Sequence, residues 1–184
     1  VLFAADGYFY GGKQFDSLEK VRGIFEQLDS HPRVVAVPYS RQPAEIDLSG
    51  LPTAVHYPDF IAPHDSGEIE FEQLPFDHPL YIMYSSGTTG LPKCMVQSAG
   101  GILIHHLKEL LMHTDLKRKA VIFYFTTCGW MMWNWMVSAL AIGTSLVLYE
   151  GSPLHPSPAA MFDLVDECEI TVLGTGAKAI AAWE

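Results

Sequence analysis

A chain of 184 residues, 49% hydrophobic and only 17% charged, can bury a sizeable core and is too apolar for wholesale disorder. Its formal net charge of −10 excludes the broad basic face that non-specific nucleic-acid or anionic-membrane binding requires. Cys94, Cys128 and Cys168 form no CxxC pair, which predicts a reduced, cytoplasmic chain rather than a disulfide framework or zinc site. No run approaches the roughly 18 apolar residues of a membrane span. The sequence opens on Val1 without a signal-peptide pattern and closes inside a helical pattern at Trp183-Glu184, as expected of a segment cut from a longer chain.

In chain order, Val1 to Ala5 predicts a short strand, and the aromatic, glycine-rich Asp6 to Gly12 a turn or hairpin. Asp16-Ser17-Leu18-Glu19 has the form of a helix start with an acid three residues on. Leu18, Val21, Ile24, Phe25 and Leu28 then follow helical spacing, and Arg33 to Val37 reads as a strand. Residues 1–40 are thus a βαβ segment. Residues 41–79 carry eight of the 21 acidic residues, and seven of the twelve prolines fall between Pro38 and Pro79. That composition predicts a connecting loop, with Tyr57, Phe60, Ile61, Phe71 and Phe76 available to pin it down.

Residues 80–184 alternate regularly. Leu80 to Tyr84 predicts a strand, buried over Leu80 to Met83, Cys94 to Gln97 a short returning strand, and Gly100 to Met112 a helix with Ile102, Leu103, Leu107, Leu110 and Leu111 on its apolar side. Ala120 to Thr126 is a strand. Trp130 to Ile142, apolar on nearly all sides, predicts a buried helix. Thr144 to Tyr149 (strand), Pro158 to Glu167 (helix), Ile170 to Gly174 (strand) and Ala177 to Trp183 (helix) complete the pattern. Repeated β-α units predict an α/β fold, a largely parallel sheet flanked by helices, with all three segments in one incomplete domain. Ligands of such sheets bind outside the carboxyl ends of the strands, where the glycine-rich loop after Tyr84 is expected.

That loop, Ser85-Ser86-Gly87-Thr88-Thr89-Gly90-Leu91-Pro92-Lys93, places two glycines, four hydroxyls and a lysine within nine residues. Free backbone N–H groups and hydroxyls in a row bind anions, and Lys93 adds a mobile positive charge, so a phosphate-binding loop is predicted. It is not a Walker A loop, because Gly87 and Gly90 are three apart and Lys93 follows Pro92 and precedes Cys94. Nor does it contain the G-x-G-x-x-G of dinucleotide or kinase loops.

Ser86 to Lys93 does reproduce the SGTTGxPK signature, and so resembles the adenylate-forming superfamily of acyl-CoA synthetases, luciferases and peptide-synthetase adenylation domains. Phe76-Asp77-His78-Pro79-Leu80-Tyr81, Lys93-Cys94 and the run from Phe123 to Trp135 are similar to the acetoacetyl-CoA synthetase branch of that superfamily. Ala5-Asp6-Gly7-Tyr8, Gly11-Gly12-Lys13 and Gly174-Thr175 with Ala177-Lys178 add to it. Gln97-Ser98 departs from it where a histidine and a small residue are expected.

The resemblance implies the N-terminal part of an adenylate-forming domain. It implies ATP-dependent activation of acetoacetate through an acyl-adenylate, with ATP, Mg²⁺ and CoA as the small molecules used and no bound metal site. Ser85, Ser86, Gly87, Thr88, Thr89, Gly90 and Lys93 would contact the phosphates. Among them Thr88 and Thr89 would act catalytically, with Lys93 as an accessory charge, not the main catalytic lysine. Trp130, Met131, Met132, Asn134 and Thr175 would border the acid. The residues alone leave the Trp130 to Trp135 stretch open between acyl pocket and packed core helix, and Gly174-Thr175-Gly176 a helix-entry turn. His105, His106 and His113 read as an ordinary helix rather than metal ligands. The superfamily's adenine segment, ribose aspartate and C-terminal lysine are expected beyond Glu184, so these residues alone are expected to be inactive. A ligase for another short acid and a non-catalytic nucleotide-binding module are the alternatives.

Overall fold

The computed structural model describes residues 1–85 and 90–183. The chain divides into two compact units. The first comprises Val1–Ile69 with Glu150–Ser157, the second Glu70–Tyr149 with the chain from Pro158 onward.

In the first unit β1 (Leu2–Ala5) and β4 (Val34–Val37) pair in parallel, and a two-residue strand β5 (Val55–His56) adds on the far side of β4. Between them, β2 (Gly7–Tyr10) and β3 (Lys13–Asp16) form an antiparallel hairpin. Its turn residues Gly11 and Gly12 both have positive φ, +57° and +74°, which a two-residue hairpin turn of matching twist requires. Helix α1 (Leu18–Gln27) buries Leu18, Val21 and Phe25 against this sheet. Ile24 and Leu28, expected on the same face, stay exposed. They lie at the edge of the stripe, beyond the width one sheet face covers.

The proline-rich stretch is more than a connection. It contributes a 3₁₀ turn (Pro43–Glu45), β5, and the short helix α2 (Tyr57–Ile61), whose Pro58 occupies the first turn where its missing N–H costs nothing. The residues that anchor it are Ile46 and Leu51, both buried, and Arg22, which donates to the Ser49 and Asp47 carbonyls at 2.8 Å each. Of the aromatics expected to do so, Phe60 meets Phe3 edge-on at 5.6 Å between centroids, whereas Phe71 and Phe76 are 78% and 62% exposed.

The second unit is built on a parallel sheet in which β8 (Val121–Tyr124) is central, with β10 (Val172–Gly174) on one side and β9 (Ser145–Leu146) on the other. Successive residues of β8 point to opposite faces, and each face has its own core. Ile122 packs with Leu110, Leu116, Met136 and Ala139; Phe123 packs with Met161 and Ile170. Helix α3 (Ala99–Lys108) buries His106, α4 (Met131–Val137) brings Trp133, Trp135 and Met136 to the Ile122 side, and α5 (Ala160–Glu167) brings Met161, Leu164 and Val165 to the Phe123 side. A π-helical turn (Glu109–His113) follows α3, and a 3₁₀ segment (Ser138–Ile142) follows α4 and stops at Gly143 in the left-handed region. Helix α6 (Ala177–Trp183) closes the unit. This is the expected α/β architecture. Among the described residues no helix is long and apolar enough to cross a membrane.

Four expectations are corrected. β6 (Pro79–Ser85) and β7 (Lys93–Ser98) form a separate antiparallel hairpin, so the glycine-rich connection is a hairpin loop, not the carboxyl end of a parallel strand. β6 is not buried: Leu80, Ile82 and Tyr84 are exposed, because they share the face of a two-stranded ribbon turned away from α4. The Trp130 to Ile142 stretch is not buried throughout. Met136 and Ala139 are, whereas Trp130 and Leu140 are 69% and 58% exposed, since only one stripe of it meets the sheet. The strand expected from Thr144 to Tyr149 shortens to two residues, although Val147 N–H still donates to the Ile122 carbonyl at 3.0 Å.

A polar clasp ties the first unit together. Buried Asp6 accepts from the Tyr39 N–H (2.6 Å), the Ser40 N–H (2.9 Å), the Ser40 hydroxyl (2.6 Å) and Arg41 Nε (3.0 Å). Arg41 also donates to Asp16, whose other oxygen accepts from the first N–H groups of α1, those of Leu18 and Glu19. Burial alone would raise the Asp6 pKa; the hydrogen bonds from Ser40, Tyr39 and Arg41 outweigh it and hold the group at about 2, below its ordinary 3.8. A carboxyl with a depressed folded-state pKa stabilises fully above its unfolded value and loses that contribution as pH falls through the folded value. Asp6→Asn is therefore expected to lower unfolding free energy at pH 7 by about 2–4 kcal/mol. The gap from wild type should narrow between pH 4 and pH 2, read by denaturant unfolding across pH. A gap unchanged at pH 2 would contradict the assignment.

Candidate active site

The loop hairpin lies in the second unit, and its two faces differ. Cross-strand partners Ser85↔Lys93, Met83↔Met95 and Tyr81↔Gln97 alternate with Tyr84↔Cys94 and Ile82↔Val96. Paired residues project to the same side, so Ser85 and Lys93 share a face with Met83. On that face the Asn134 side-chain amide donates to Met83 Sδ at 3.2 Å. The N-terminal end of α3 holds the near end of the hairpin: Ala99 N–H donates to the His78 carbonyl (2.8 Å) and Gly100 N–H to the Phe76 carbonyl (3.0 Å). These bonds satisfy two of the four N–H groups that a helix start leaves unpaired.

The second group of candidates stands at the carboxyl edge of the parallel sheet, the usual place for ligands. The chain leaves β8 through Phe125 to Gly129 and enters α4 at Trp130, whose N–H donates to the Thr127 carbonyl at 3.0 Å. The neighbouring strand β10 ends at Gly174, whose carbonyl accepts from Phe125 N–H at 2.8 Å, and Thr175 follows. The α4 entry and Thr175 thus leave adjacent parallel strands at one edge. The Thr175 hydroxyl is buried without a hydrogen-bond partner among the described residues. A hydroxyl left so costs about 1–3 kcal/mol, which marks it as a donor or acceptor open to a bound oxygen or nitrogen.

Of the residues singled out in the sequence, Ser85, Gly90 and Lys93 stand at the two ends of the hairpin loop, Gly90 with φ +103°. Ser86, Gly87, Thr88 and Thr89 lie outside the described residues. Asn134 meets the hairpin directly. Trp130 and Met131 are exposed, Met132 and Asn134 half-buried. The core reading of the Trp130 to Trp135 stretch holds for Trp133 and Trp135, which pack against the core containing Met136, while Trp130 and Met131 are exposed at the sheet edge. Among the described residues no group of three or more His, Cys, Asp or Glu is placed to hold a metal.

Sequence reasoning missed Met83, Ser138 and His106. His106 is buried, its Nδ1 2.8 Å from Ser138 Oγ, which is 3.0 Å from the Asn134 carbonyl oxygen. Burial, with a smaller contribution from the His105 charge, lowers the His106 pKa and favours the neutral ring. The signal was present in the sequence, because His106 lies four residues from both Ile102 and Leu110, in the middle of the apolar stripe.

The profile of the family described as AMP-binding enzyme matches residues 12–180. The chain belongs to the AMP-binding enzyme family. Within that family it is 52% identical over 188 residues to acetoacetyl-CoA synthetase of Danio rerio, a match covering all of this chain and 28% of the relative. Malonamoyl-CoA synthetase of Penicillium aethiopicum is 39% identical over 201 residues, covering all of this chain and 27% of that protein. The solved structure of acetoacetyl-CoA synthetase from Streptomyces lividans superposes with a TM-score of 0.85 at 41% identity, over 98% of this chain and 27% of that one. The chain thus spans little more than a quarter of the length of these AMP-binding relatives. The resemblance to the acetoacetyl-CoA synthetase branch read from Phe76 to Tyr81 and Phe123 to Trp135 is borne out along the whole chain.

One steric feature fixes the sheet edge. A Cβ built on Gly174 would overlap the ring of Tyr124, its register partner on β8, and that ring in turn meets Trp135 edge-on at 6.3 Å between centroids. Gly174→Ala is expected to destabilise the chain by about 1–3 kcal/mol through overpacking. Gly174→Ala/Tyr124→Leu should recover part of the loss in thermal unfolding. Equal stability of wild type and Gly174→Ala would show that the ring yields freely.

Proposed function

We propose that the complete protein carrying this chain is an ATP-dependent acid–CoA ligase acting on acetoacetate. The observation that carries this reading is the identity of about half of all residues, along the entire chain, to proteins named acetoacetyl-CoA synthetase. The site chemistry supports it. In the first step an acetoacetate carboxylate oxygen attacks the α-phosphorus of ATP, forming the acyl-adenylate and expelling pyrophosphate. In the second the CoA thiol attacks the acyl carbon and AMP leaves.

The charge that develops on the β- and γ-phosphates calls for preorganised donors. Thr88, Thr89 and the backbone from Ser86 to Gly90 are assigned that role from the motif, with Ser85 and Lys93 at the loop ends. Mg²⁺ would supply further charge neutralisation, held chiefly by the phosphates as that ion commonly is. Trp130, Met131, Met132, Asn134 and Thr175 are assigned to the acid side, the unpartnered Thr175 hydroxyl offering a hydrogen bond to an acyl or nucleotide oxygen. The three cysteines are all free thiols, in keeping with a cytoplasmic setting.

A second reading, a ligase for a related short acid, is favoured by one observation, the 39% identity to a malonamoyl-CoA synthetase. Malonamate differs from acetoacetate only in an amide nitrogen where the terminal methyl stands, so one pocket shape fits both. ATP–pyrophosphate exchange by the complete protein, across a panel of carboxylic acids, separates the readings. Acetoacetate is expected to give the highest kcat/KM; malonamate in first place would establish the second reading, and acetate or a medium-chain acid would contradict both. Replacing Thr88 and Thr89 with alanine should cost at least about tenfold in kcat/KM for ATP, roughly 1.4 kcal/mol. An unchanged value would remove the loop from the phosphate site.

A further inference from the structure

A continuous polar path runs from the interior of α3 to the loop hairpin. His106 Nδ1 lies 2.8 Å from Ser138 Oγ, Ser138 Oγ lies 3.0 Å from the Asn134 carbonyl, and the Asn134 amide reaches Met83 Sδ at 3.2 Å. The serine hydroxyl has a single hydrogen. The Asn134 carbonyl is an acceptor only, so the bond to it takes that hydrogen. Toward His106 the serine oxygen is then an acceptor, and Nδ1 must carry the proton. Burial of His106, with the His105 charge beside it, favours the neutral ring, which leaves one tautomer, Nδ1–H.

The turn after α3 already packs against α4 and the segment that follows it through Leu110, Met136 and Ala139, and the polar path adds a directional constraint to that apolar contact. Ser138 begins the 3₁₀ segment after α4, and its own N–H already donates to the Asn134 backbone carbonyl. Its hydroxyl adds a second bond to that carbonyl, four residues back, and His106 fixes the hydroxyl. Rotation of the turn would move the Asn134 side chain off Met83 and away from the face that carries Ser85 and Lys93.

We propose that His106, acting through Ser138, is a positioning residue that sets Asn134 for recognition of the carboxylic acid. This rests on the reading of Asn134 as an acid-side residue. His106 touches no substrate; its effect is confined to where Asn134 stands.

Two measurements test it. In the first, long-range ¹H–¹⁵N correlation spectra of the histidine side chains in this chain report the tautomer. His106 is expected to show a protonated Nδ1 and an unprotonated Nε2; the opposite tautomer overturns the bond. In the second, the complete protein is assayed by ATP–pyrophosphate exchange. His106→Leu keeps the volume and loses the donor, and should raise KM for the acid about three- to tenfold with KM for ATP within about twofold. His106→Asn, whose amide nitrogen can occupy the place of Nδ1, should recover most of the loss.

Ser138→Ala, which removes only the hydroxyl, should match His106→Leu, and the double variant should be no worse than either, as expected for residues in one path. Equal effects on both KM values, no rescue by asparagine, or additive losses would overturn the assignment. Unchanged acid KM in His106→Leu, with wild type active, overturns the role of His106 alone. A wild type that exchanges pyrophosphate with no acid overturns the reading of the site, while the spectra still decide the hydrogen bond.

Discussion

A two-stranded β-ribbon is at best marginally stable in water, and the second unit places its glycine-rich loop on such a ribbon. The ribbon joins neither parallel sheet, so its position is set by what holds its inner face. Two attachments do so: the N–H groups at the start of α3, which take the carbonyls of Phe76 and His78, and the Asn134 amide on Met83. The first fixes where the ribbon begins. The second fixes the side on which Ser85 and Lys93 stand relative to α4. The loop proposed to hold phosphate is thereby mounted on an element with few partners among the described residues and steered from its base.

The parallel sheet supplies the rigid counterpart. β8 buries Ile122 and Phe123 on opposite faces, each within its own cluster, and complete burial of side chains of this size contributes roughly 1.5–3 kcal/mol apiece. Helices therefore cover both faces, and the remaining open edge is the carboxyl one. Trp130 and Thr175 follow the carboxyl ends of adjacent strands there. In the first unit the same logic operates with a polar addition, since Asp6 and Arg41 connect the end of β1, the chain after β4 and the start of α1 in one clasp.

Much of this was legible in the sequence, and the failures have physical causes. The alternation of strands and helices in 80–184 gave the α/β architecture, because period 2 and period 3.6 differ clearly over such lengths. The loop motif was specific enough to select the family. Burial was misjudged where periodicity says nothing about partners: Leu80 and Ile82 read as core, yet they occupy the outer face of the ribbon. β5 and α2 were missed because two residues carry no period and Pro58 resembles a loop signal as much as a helix start. Asn134 was singled out through family resemblance, whereas its partners Met83 and Ser138 were not: Met83 lies 51 residues away, and no sequence pattern shows that the Ser138 hydroxyl turns back on its own helix. His106 was visible as a polar residue inside an apolar stripe, but its hydrogen bond depends on tertiary packing.

The central claim is that the complete protein joins acetoacetate to CoA through an acyl-adenylate, and the fate of one oxygen atom tests it most directly. With carboxyl-¹⁸O-labelled acetoacetate, ATP and CoA, attack of the carboxylate on the α-phosphorus carries one labelled oxygen into AMP. Mass spectrometry of the products should find that label in AMP and none in pyrophosphate. Label in inorganic phosphate with ADP as the nucleotide product, or thioester formation that leaves AMP unlabelled, would contradict it.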